Sequence, residues 1–369
     1  MTTLKSHLKR VQISGFKSIA SLDLIMNPIN ILIGANGSGK SNFISLFSFL
    51  RHLSEGKLQT YVEQHGFANT FFHFGAKKTK TISITLDVGD NTYHADFLHG
   101  EANDALVFAQ EYCNYIGSNR DFHIKGKLGE SGLLPGGEAD SEYVKKYTRE
   151  YLNKCRVYHF HDTSASAAFK QAQSISASTF LQNDAANLAP YLYYLKEYWP
   201  ENYQEIVAAI QTVAPFFHDF YLVPQGTAGN EVILLRWTHK DHDAPFSANQ
   251  LSDGTARFIC LSTLFLQPEY LRPSTIVLDE PELGLHPAAL EVLAEIIQVT
   301  AKTSQVICST QSVTFANFFK PQDFIVVDQK KGVSTFERLE EDQLQVWLED
   351  YGMGDIWMKN LVGGQIASL

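Results

Sequence analysis

Residues 30–43 read Asn-Ile-Leu-Ile-Gly-Ala-Asn-Gly-Ser-Gly-Lys-Ser-Asn-Phe. The apolar run Ile29 to Ile33 gives way to a glycine-rich turn and Lys40-Ser41, after which Phe43, Ile44, Leu46, Phe47 and Leu50 recur at helical spacing. The order is strand, loop, helix. Gly34, Gly37 and Gly39 permit backbone angles that turn successive N–H groups inward on an anion, and the helix opening near Lys40 aims its positive end at the same spot. Lys40 can then reach β- and γ-phosphates, and the Ser41 hydroxyl can ligate Mg²⁺. A chance glycine-rich turn would not combine the spacing of Gly34, Gly39, Lys40 and Ser41 with a strand before and a helix after. The chain is expected to bind a nucleoside triphosphate.

Length and composition bound what surrounds this stretch. With 369 residues, 44% hydrophobic and 19% charged, the chain can bury a large core as one elaborate domain or two. The N-terminus does not resemble a signal peptide, and no apolar run approaches the roughly 18 residues that span a bilayer. A soluble, cytoplasmic protein without membrane attachment is expected. Cys113, Cys155, Cys260 and Cys308 are isolated, which suits small buried hydrophobes better than disulfides or a paired zinc spacing. The net charge of −10 argues against a uniformly basic nucleic-acid binder. Yet residues 1–80 hold ten Lys/Arg against three Asp/Glu, a balance of +7, while the other twenty basic and thirty-seven acidic residues carry −17. A basic lobe facing DNA or RNA is one reading; dispersed, solvated lysines are the other.

Leu8 to Ile13 and Leu22 to Met26 read as strands on either side of Gly15-Phe16-Lys17-Ser18. Thr81 to Asp87 and Thr92 to Leu98 read as a hairpin closed by Gly89-Asp90-Asn91, with Ala105 to Glu111 a further strand. A small antiparallel sheet is therefore expected beside the phosphate loop. Gly117 to Gly137 loses periodicity and reads as loop, Ser141 to Lys154 as helix, and Arg156 to Phe160 as a strand running into His161-Asp162-Thr163-Ser164. His159 and His161 share a face of that segment, and with Asp162 they could hold a metal or a switch. Structural, hydrogen-bonded histidines are the plainer reading, because no third ligand is evident.

Leu188, Tyr191/Leu192, Leu195 and Trp199, then Ile206, Ile210 and Val213, recur at helical spacing and give a helical pair ended by Pro215. His239-Lys240-Asp241-His242-Asp243 follows a strand ending at Trp237. Two carboxylates one residue apart can bind a catalytic metal, as in some nucleases. With no strand close before them and no partner glutamate, a solvated turn is expected instead. No heptad run is long enough for a coiled coil.

Ser274 to Asp279, followed by Glu280-Pro281, is an apolar strand ending in two carboxylates. Beside the phosphate loop, Asp279 would hold the Mg²⁺ shell and Glu280 would polarise the attacking water. That strand ends 27 residues after Ser252 of Leu251-Ser252-Asp253-Gly254-Thr255. This signature opens a helix whose apolar positions are Ala256, Ile259, Leu261, Leu264 and Phe265, so Ser252 and the Gly254 N–H sit at a positive helix end.

In this order the motifs resemble the ATP-binding-cassette (ABC) ATPases. Gly15 to Ser18, Gly34 to Asn42 and Glu280-Pro281-Glu282-Leu283-Gly284-Leu285-His286-Pro287 are similar to the SMC, RecF and OLD-nuclease branch. Bacterial chains of this kind are usually called AAA_21-type ATPases, and many serve anti-phage defence or DNA maintenance. The motifs run from Leu8 to about Asp328. The resemblance implies an α/β P-loop NTPase of the ABC-ATPase head type: a mixed sheet, a small antiparallel β subdomain, a helical insertion and no long coiled coil. It divides the chain into 1–112 (phosphate loop and β subdomain), 113–245 (insertion and helical lobe) and 246–369 (signature, carboxylate strand, switch loop and acidic tail).

The resemblance also implies ATP and Mg²⁺ as ligands. Asn36, Gly37, Ser38, Gly39, Lys40, Ser41 and Asn42 would hold the nucleotide, Ser41 and Asp279 the metal, and Glu280 the attacking water. It implies a head-to-tail homodimer, or a higher assembly, in which Ser252 and Gly254 of one subunit complete the γ-phosphate site of the other and Glu282 to His286 face the partner subunit. Ser309-Thr310-Gln311-Ser312 stands where most of the family has a histidine on the γ-phosphate. Gln311 can donate a hydrogen bond there but carries no proton or charge, so slow turnover is expected. The loop that senses Mg²⁺ lacks a dependable glutamine, with the His161 region a candidate. The aromatic that stacks on adenine in transporter ATPases is not evident, and Lys17 occupies the region where this branch contacts nucleotide.

The function implied is an ATP-driven dimer that clamps DNA or RNA, or controls a separately encoded nuclease or toxin. The alternative is a nucleotide-gated scaffold that hardly hydrolyses ATP and restrains such a partner. A membrane-transporter subunit is disfavoured by the branch-specific motifs. The acidic, aromatic tail Glu340 to Gly364 is expected to pack on the core as an amphipathic helix rather than to dock a partner.

Overall fold

The sheet that carries the phosphate loop is built from the most apolar runs of the chain. The computed structural model describes residues 7–115, 121–124, 129–135, 139–227, 229–340, 342, 344, 347 and 351–364. In it, Ile29–Ile33 (β3), Cys155–Tyr158 (β8), Thr275–Asp279 (β14), Gln305–Thr310 (β15), Phe324–Lys330 (β16) and Val333–Arg338 (β17) form one sheet in the order β17-β16-β3-β15-β14-β8. All neighbours run parallel except the antiparallel edge strand β17, so the sheet is mixed, as expected. Every residue of β3 and β15 is buried, and alternate side chains enter opposite cores. Ile31, Ile33, Leu278 and Cys308 go to one face, and Leu32, Val277 and Ile307 to the other. Burial on both faces is why these strands read as unbroken apolar runs.

The second sheet is antiparallel: Leu8–Phe16 (β1), Ile19–Ile25 (β2), Thr81–Val88 (β4), Asn91–Gly100 (β5), Ala105–Tyr115 (β6) and Asp121–His123 (β7), in the order β2-β1-β4-β5-β6-β7. Its turns are tighter than the sequence suggests. Phe16 is fully buried and pairs with Ile19, leaving only Lys17-Ser18 as the turn, with Lys17 at φ 50°. Likewise Val88 pairs with Asn91, so Gly89-Asp90 alone closes the hairpin, Gly89 supplying the positive φ of 57° that a two-residue turn requires. Within the stretch expected as loop, residues 117–120, 125–128 and 136–137 lie outside the described residues.

Lys40–Ser54 (α1) packs Phe43, Leu46, Phe47 and Leu50 between the two sheets, next to Leu58–Gln64 (α2) and Ala139–Asn153 (α3). On the other face of the mixed sheet lie the expected helical pair, Leu188–Tyr198 (α4) and Pro200–Val213 (α5), then Asp253–Leu266 (α6) and Pro287–Thr300 (α7). Small ladders decorate this lobe: Gln173–Ser174 (β9) with Val232–Ile233 (β11), and Phe217–Phe220 (β10) with Arg236–His239 (β12) and Phe246–Ser247 (β13). Two expectations shift here. β8 ends at Tyr158, so His159 and Phe160 lie beyond the strand. β12 runs on to His239, so a strand does lead directly into Asp241 and Asp243. The turn nonetheless closes on itself, with the Asp241 N–H donating to His239 Nδ1 at 3.0 Å. Among the described residues, no group of three His, Cys, Asp or Glu could hold a metal, and no helix is long and apolar enough to cross a membrane.

The tail does pack on the core, through a helix shorter than its composition suggests. Met353–Met358 (α9) buries Met353, Ile356 and Trp357 against Val313–Ala316 (α8), while Trp347 and Tyr351 stay partly exposed; Glu341 and Leu348 lie outside the described residues. Asn317 caps the helix start, its Oδ1 accepting from Gly354 N at 2.7 Å and its Nδ2 donating to Asp355 at 3.2 Å. The two backbones touch: a Cβ at Gly354 would fall 2.0 Å from the Val313 carbonyl oxygen. Gly354→Val should therefore displace α9 and cost about 1–3 kcal/mol. Chemical denaturation checks this, and a wild-type midpoint in the variant would contradict the packing described.

Candidate nucleotide site

Strand register assembles the site. Ile33 lies opposite Thr310, Ser309 opposite Asp279, and Leu278 opposite Tyr158. The C-terminal ends of β3, β15, β14 and β8 thus form one row, and the residues following them, Gly34, Gln311, Glu280 and His159, emerge along the same edge. Ligands of open parallel sheets bind at this edge.

The 34–41 loop is wound as the glycines suggest. Gly34, Gly37 and Gly39 take φ of 157°, 78° and 116°, and a Cβ at Gly39 would lie 2.1 Å from the Ser334 hydroxyl. Asn36 and Gly37 are exposed, whereas Ser38 and Gly39 are buried, and the Ser38 Oγ is a buried hydroxyl without a hydrogen-bond partner among the described residues. Lys40 Nζ donates to the carbonyls of Gly34 at 2.6 Å and Ala35 at 3.0 Å. Burial pulls its pKa down, and Glu280, Asp279 and Glu282 oppose that. Asn42 Nδ2 donates to Ser18 Oγ at 2.7 Å, tying the loop to the Lys17-Ser18 turn, where Lys17 Nζ donates to Ser45 Oγ at 2.8 Å.

Asp279 stands across from the loop, with Ser41 Oγ 3.4 Å from its Oδ2 while Ser309 Oγ donates to its Oδ1. A hydroxyl and a carboxylate converging from two elements form a hard-oxygen set of the kind Mg²⁺ takes, completed by waters and phosphate oxygens. The unpartnered Ser38 hydroxyl and the exposed loop at Gly37 likewise fit a phosphate. Glu280 is held in the left-handed region at φ 47°, its N–H donating to Ser309 O at 3.1 Å. A non-glycine residue there costs on the order of 1–3 kcal/mol, strain of the kind that collects at working sites. Gln311 Nε2 donates to Glu280 Oε1, so the two residues expected to be catalytic are in contact.

Ser252 and Gly254 are not part of this row. Ser252 is exposed at the N-cap of α6 and accepts from Thr255 N at 3.2 Å, and among the described residues no hydrogen bond joins it to the 34–42 loop. Gly254 instead packs on the loop after Glu280: a Cβ there would lie 2.5 Å from the Gly284 carbonyl oxygen. That loop departs from expectation. Leu283 is half exposed, but Glu282 turns inward, buried, where its Oε1 accepts from Thr310 Oγ1 at 2.5 Å and Gln311 N at 3.1 Å.

His159 lies close enough to Asp279 to feel its charge. Burial and the neighbouring His161 lower its pKa, and Asp279 opposes them. The two imidazoles are 6.2 Å apart. The residue that sequence reading missed is Arg257, buried on α6, which donates to Phe160 O at 2.9 Å and His161 O at 3.2 Å. It links the signature helix to the histidine loop. Its signal was a charge within the apolar stretch Ala256 to Ile259. Ser309 likewise carries no signal of its own beyond its motif, although its hydroxyl donates to the Asp279 carboxylate and accepts from the Glu280 N–H.

The family and the fold are shared with known proteins. A family model described as "AAA domain, putative AbiEii toxin, Type IV TA system" matches residues 29–101 and 111–317. The chain belongs to this family of AAA-type ATPases. It is 23% identical over 313 residues to the DNA replication and repair protein RecF of Renibacterium salmoninarum, covering 76% of each chain. Its fold is that of SMC heads. A Smc head bound to the C-terminal winged-helix domain of ScpA aligns with TM-score 0.57 at 15% identity, covering 91% of this chain and 99% of that one. A Smc head with an extended coiled coil from Pyrococcus furiosus, bound to the C-terminal domain of ScpA, aligns with TM-score 0.55 at 13% identity, covering 94% and 99%.

Glu282 gives the site a pH signature. Burial raises its pKa above the ordinary 4.5, against the hydrogen bonds from Thr310 and Gln311. The folded state therefore binds this proton more tightly than the unfolded chain does. Its contribution is most favourable below about pH 4.5 and declines as pH rises through the raised native value. Glu282→Gln should remove that decline. Denaturant midpoints of both proteins between pH 4 and 8 check this, and parallel curves would refute it.

Proposed function

We propose that the chain binds ATP with Mg²⁺ along the strand-end row and hydrolyses it slowly, and that ATP joins two copies head to tail. The reading is carried by one observation. Lys40, Ser41, Asp279, Glu280 and Gln311 converge in one chain, while Ser252, which with Gly254 would complete a γ-phosphate site, is exposed at the start of α6 and, among the described residues, makes no hydrogen bond to that group. Phosphate held between the loop of one copy and the α6 end of another would satisfy both positive helix ends.

Within the chain, the 34–41 N–H groups and Lys40 bind and orient the phosphates, and Ser41 with Asp279 would hold Mg²⁺. The metal, when bound, would neutralise charge developing on the phosphoryl oxygens. Glu280 positions the attacking water and accepts its proton. Gln311 orients Glu280 by hydrogen bonding and takes no proton itself. Without a proton-carrying partner at Gln311, turnover is slow.

The cellular task is proposed from the relatives and the basic first eighty residues: the ATP-bound dimer clamps DNA or RNA, or gates a separately encoded nuclease or toxin, in DNA maintenance or anti-phage defence. A second reading, a scaffold that binds ATP with little hydrolysis and restrains a toxin, is favoured by the Gln311–Glu280 bond and by the toxin–antitoxin wording of the family description.

Light scattering tests the dimer. Glu280→Gln with ATP and Mg²⁺ should accumulate as dimer without turnover, and Ser252→Arg should bind ATP yet remain monomeric. A monomeric Glu280→Gln protein at saturating ATP would sink the head-to-tail reading. If the basic lobe meets nucleic acid, ATP-bound protein should bind duplex DNA or RNA with an affinity that falls steeply between 50 and 200 mM salt. Salt-insensitive binding, or none, leaves the effector reading standing.

A further inference from the structure

Beside the phosphate loop, on the side of the Lys17-Ser18 turn, lies an open cavity of about 580 Å³, within the range of small-ligand pockets. Lys17, Ser18 and Asn42 line its phosphate-loop end, and Asn69, Phe72 and Phe74 its far end. The far wall is fastened to the near one by backbone. Phe16 and Phe72 form an antiparallel bridge, Lys17 N donates to Phe71 O at 2.7 Å, and His73 N donates to Gly15 O at 2.9 Å. His73 Nδ1 also bonds to Lys17 O at 2.7 Å.

Phe74 at this wall is costly in two ways. Its φ of 55° lies in the left-handed region, and the residue is 53% exposed, so it gains little from burial. The ring is nevertheless held in place. A Cβ at Gly332 would fall 2.9 Å from its edge, and Lys78 Nζ lies 5.0 Å from its centroid. A strained backbone presenting a fixed, exposed aromatic beside a cavity is a poor device for stability and a good one for stacking a flat ligand.

We propose that this cavity receives the nucleobase of the bound nucleotide, with Phe74 as its stacking platform. The inference rests on the nucleotide reading above: phosphates on the 34–41 loop place the ribose at the Ser18–Asn42 end and carry the base toward Phe74. The platform comes from the segment after the phosphate-loop helix, which is why an aromatic ahead of the loop is not evident in the sequence. Base–aromatic stacking is worth about 1–3 kcal/mol per base, or roughly 5- to 150-fold in affinity.

The test is calorimetric titration of full-length protein with Mg²⁺ and either ATP or inorganic tripolyphosphate, which has no base. Wild type should bind ATP at least tenfold more tightly than tripolyphosphate. Phe74→Ala should lose about tenfold for ATP and nothing for tripolyphosphate, and Phe74→Tyr should retain ATP affinity. Phe74→Gly, which accepts the left-handed backbone without strain, should repeat the alanine result with the loop conformation preserved. Wild-type ATP affinity in both the alanine and glycine variants, or an equal loss of both ligands, overturns the platform. Lys40→Ala separates the two levels. It should lose both ligands whether or not Phe74 matters, and if it keeps both, the nucleotide reading itself fails.

Discussion

The architecture depends on placing one buried ammonium opposite three carboxylates at the end of a parallel sheet. Lys40 is almost wholly buried, and Glu280, Asp279 and Glu282 are the charges that keep its proton favourable against desolvation. One cation against three anions is unbalanced, and a polyanionic phosphate added alone would worsen it. The backbone N–H groups of the loop and the start of α1 relieve part of that repulsion. A divalent cation between Ser41 and Asp279 would relieve most of the rest. Under the proposed reading, these electrostatics favour nucleotide and metal binding together.

Those charges meet because three strands far apart in sequence share one register. Cys308 opposite Ile31, and Leu278 opposite Cys308, fix where β3, β15 and β14 stop. A slip of one residue would send Leu32 and Val277 into the wrong core and separate Asp279 from Ser41. Gln305 contributes from the opposite edge, its Nε2 donating to the carbonyls of Leu8 and Asn27 at 2.9 Å each and so tying the antiparallel sheet to the start of β15. Packing far from the candidate site therefore sets its geometry. Gly254 against Gly284 and Arg257 against Phe160 and His161 extend the same rigidity to the signature helix.

What was legible in the sequence follows from how local each signal is. The phosphate loop, the carboxylate strand and the start of α6 are read from contiguous residues, because glycine angles, strand burial and helix capping are local constraints. The two hairpins were legible as pairs but not to the residue, since the burial of Phe16 and the pairing of Asn91 are tertiary facts. The orientation of Glu282 was not legible: a Glu in a polar loop carries no mark of facing inward until Thr310 and Gln311 supply its donors. Arg257 escaped for the converse reason, its partners being backbone carbonyls that no side-chain pattern announces.

Gln311 shows how a small change of chemistry can leave a geometry intact. An amide donating to Glu280 fixes the carboxylate's direction as an imidazole would, and the Ser309 hydroxyl, which accepts from the Glu280 N–H and donates to Asp279, holds the main chain that carries it. The arrangement is held by neutral donors, so orientation does not depend on the charge of the switch residue. What the amide cannot do is carry a proton away from the attacking water. In the proposed mechanism that task falls on Glu280 alone, beside the carboxylates of Asp279 and Glu282. In the proposed reading the residue that positions the base is thus kept separate from proton transfer, so a well-formed site is compatible with slow chemistry.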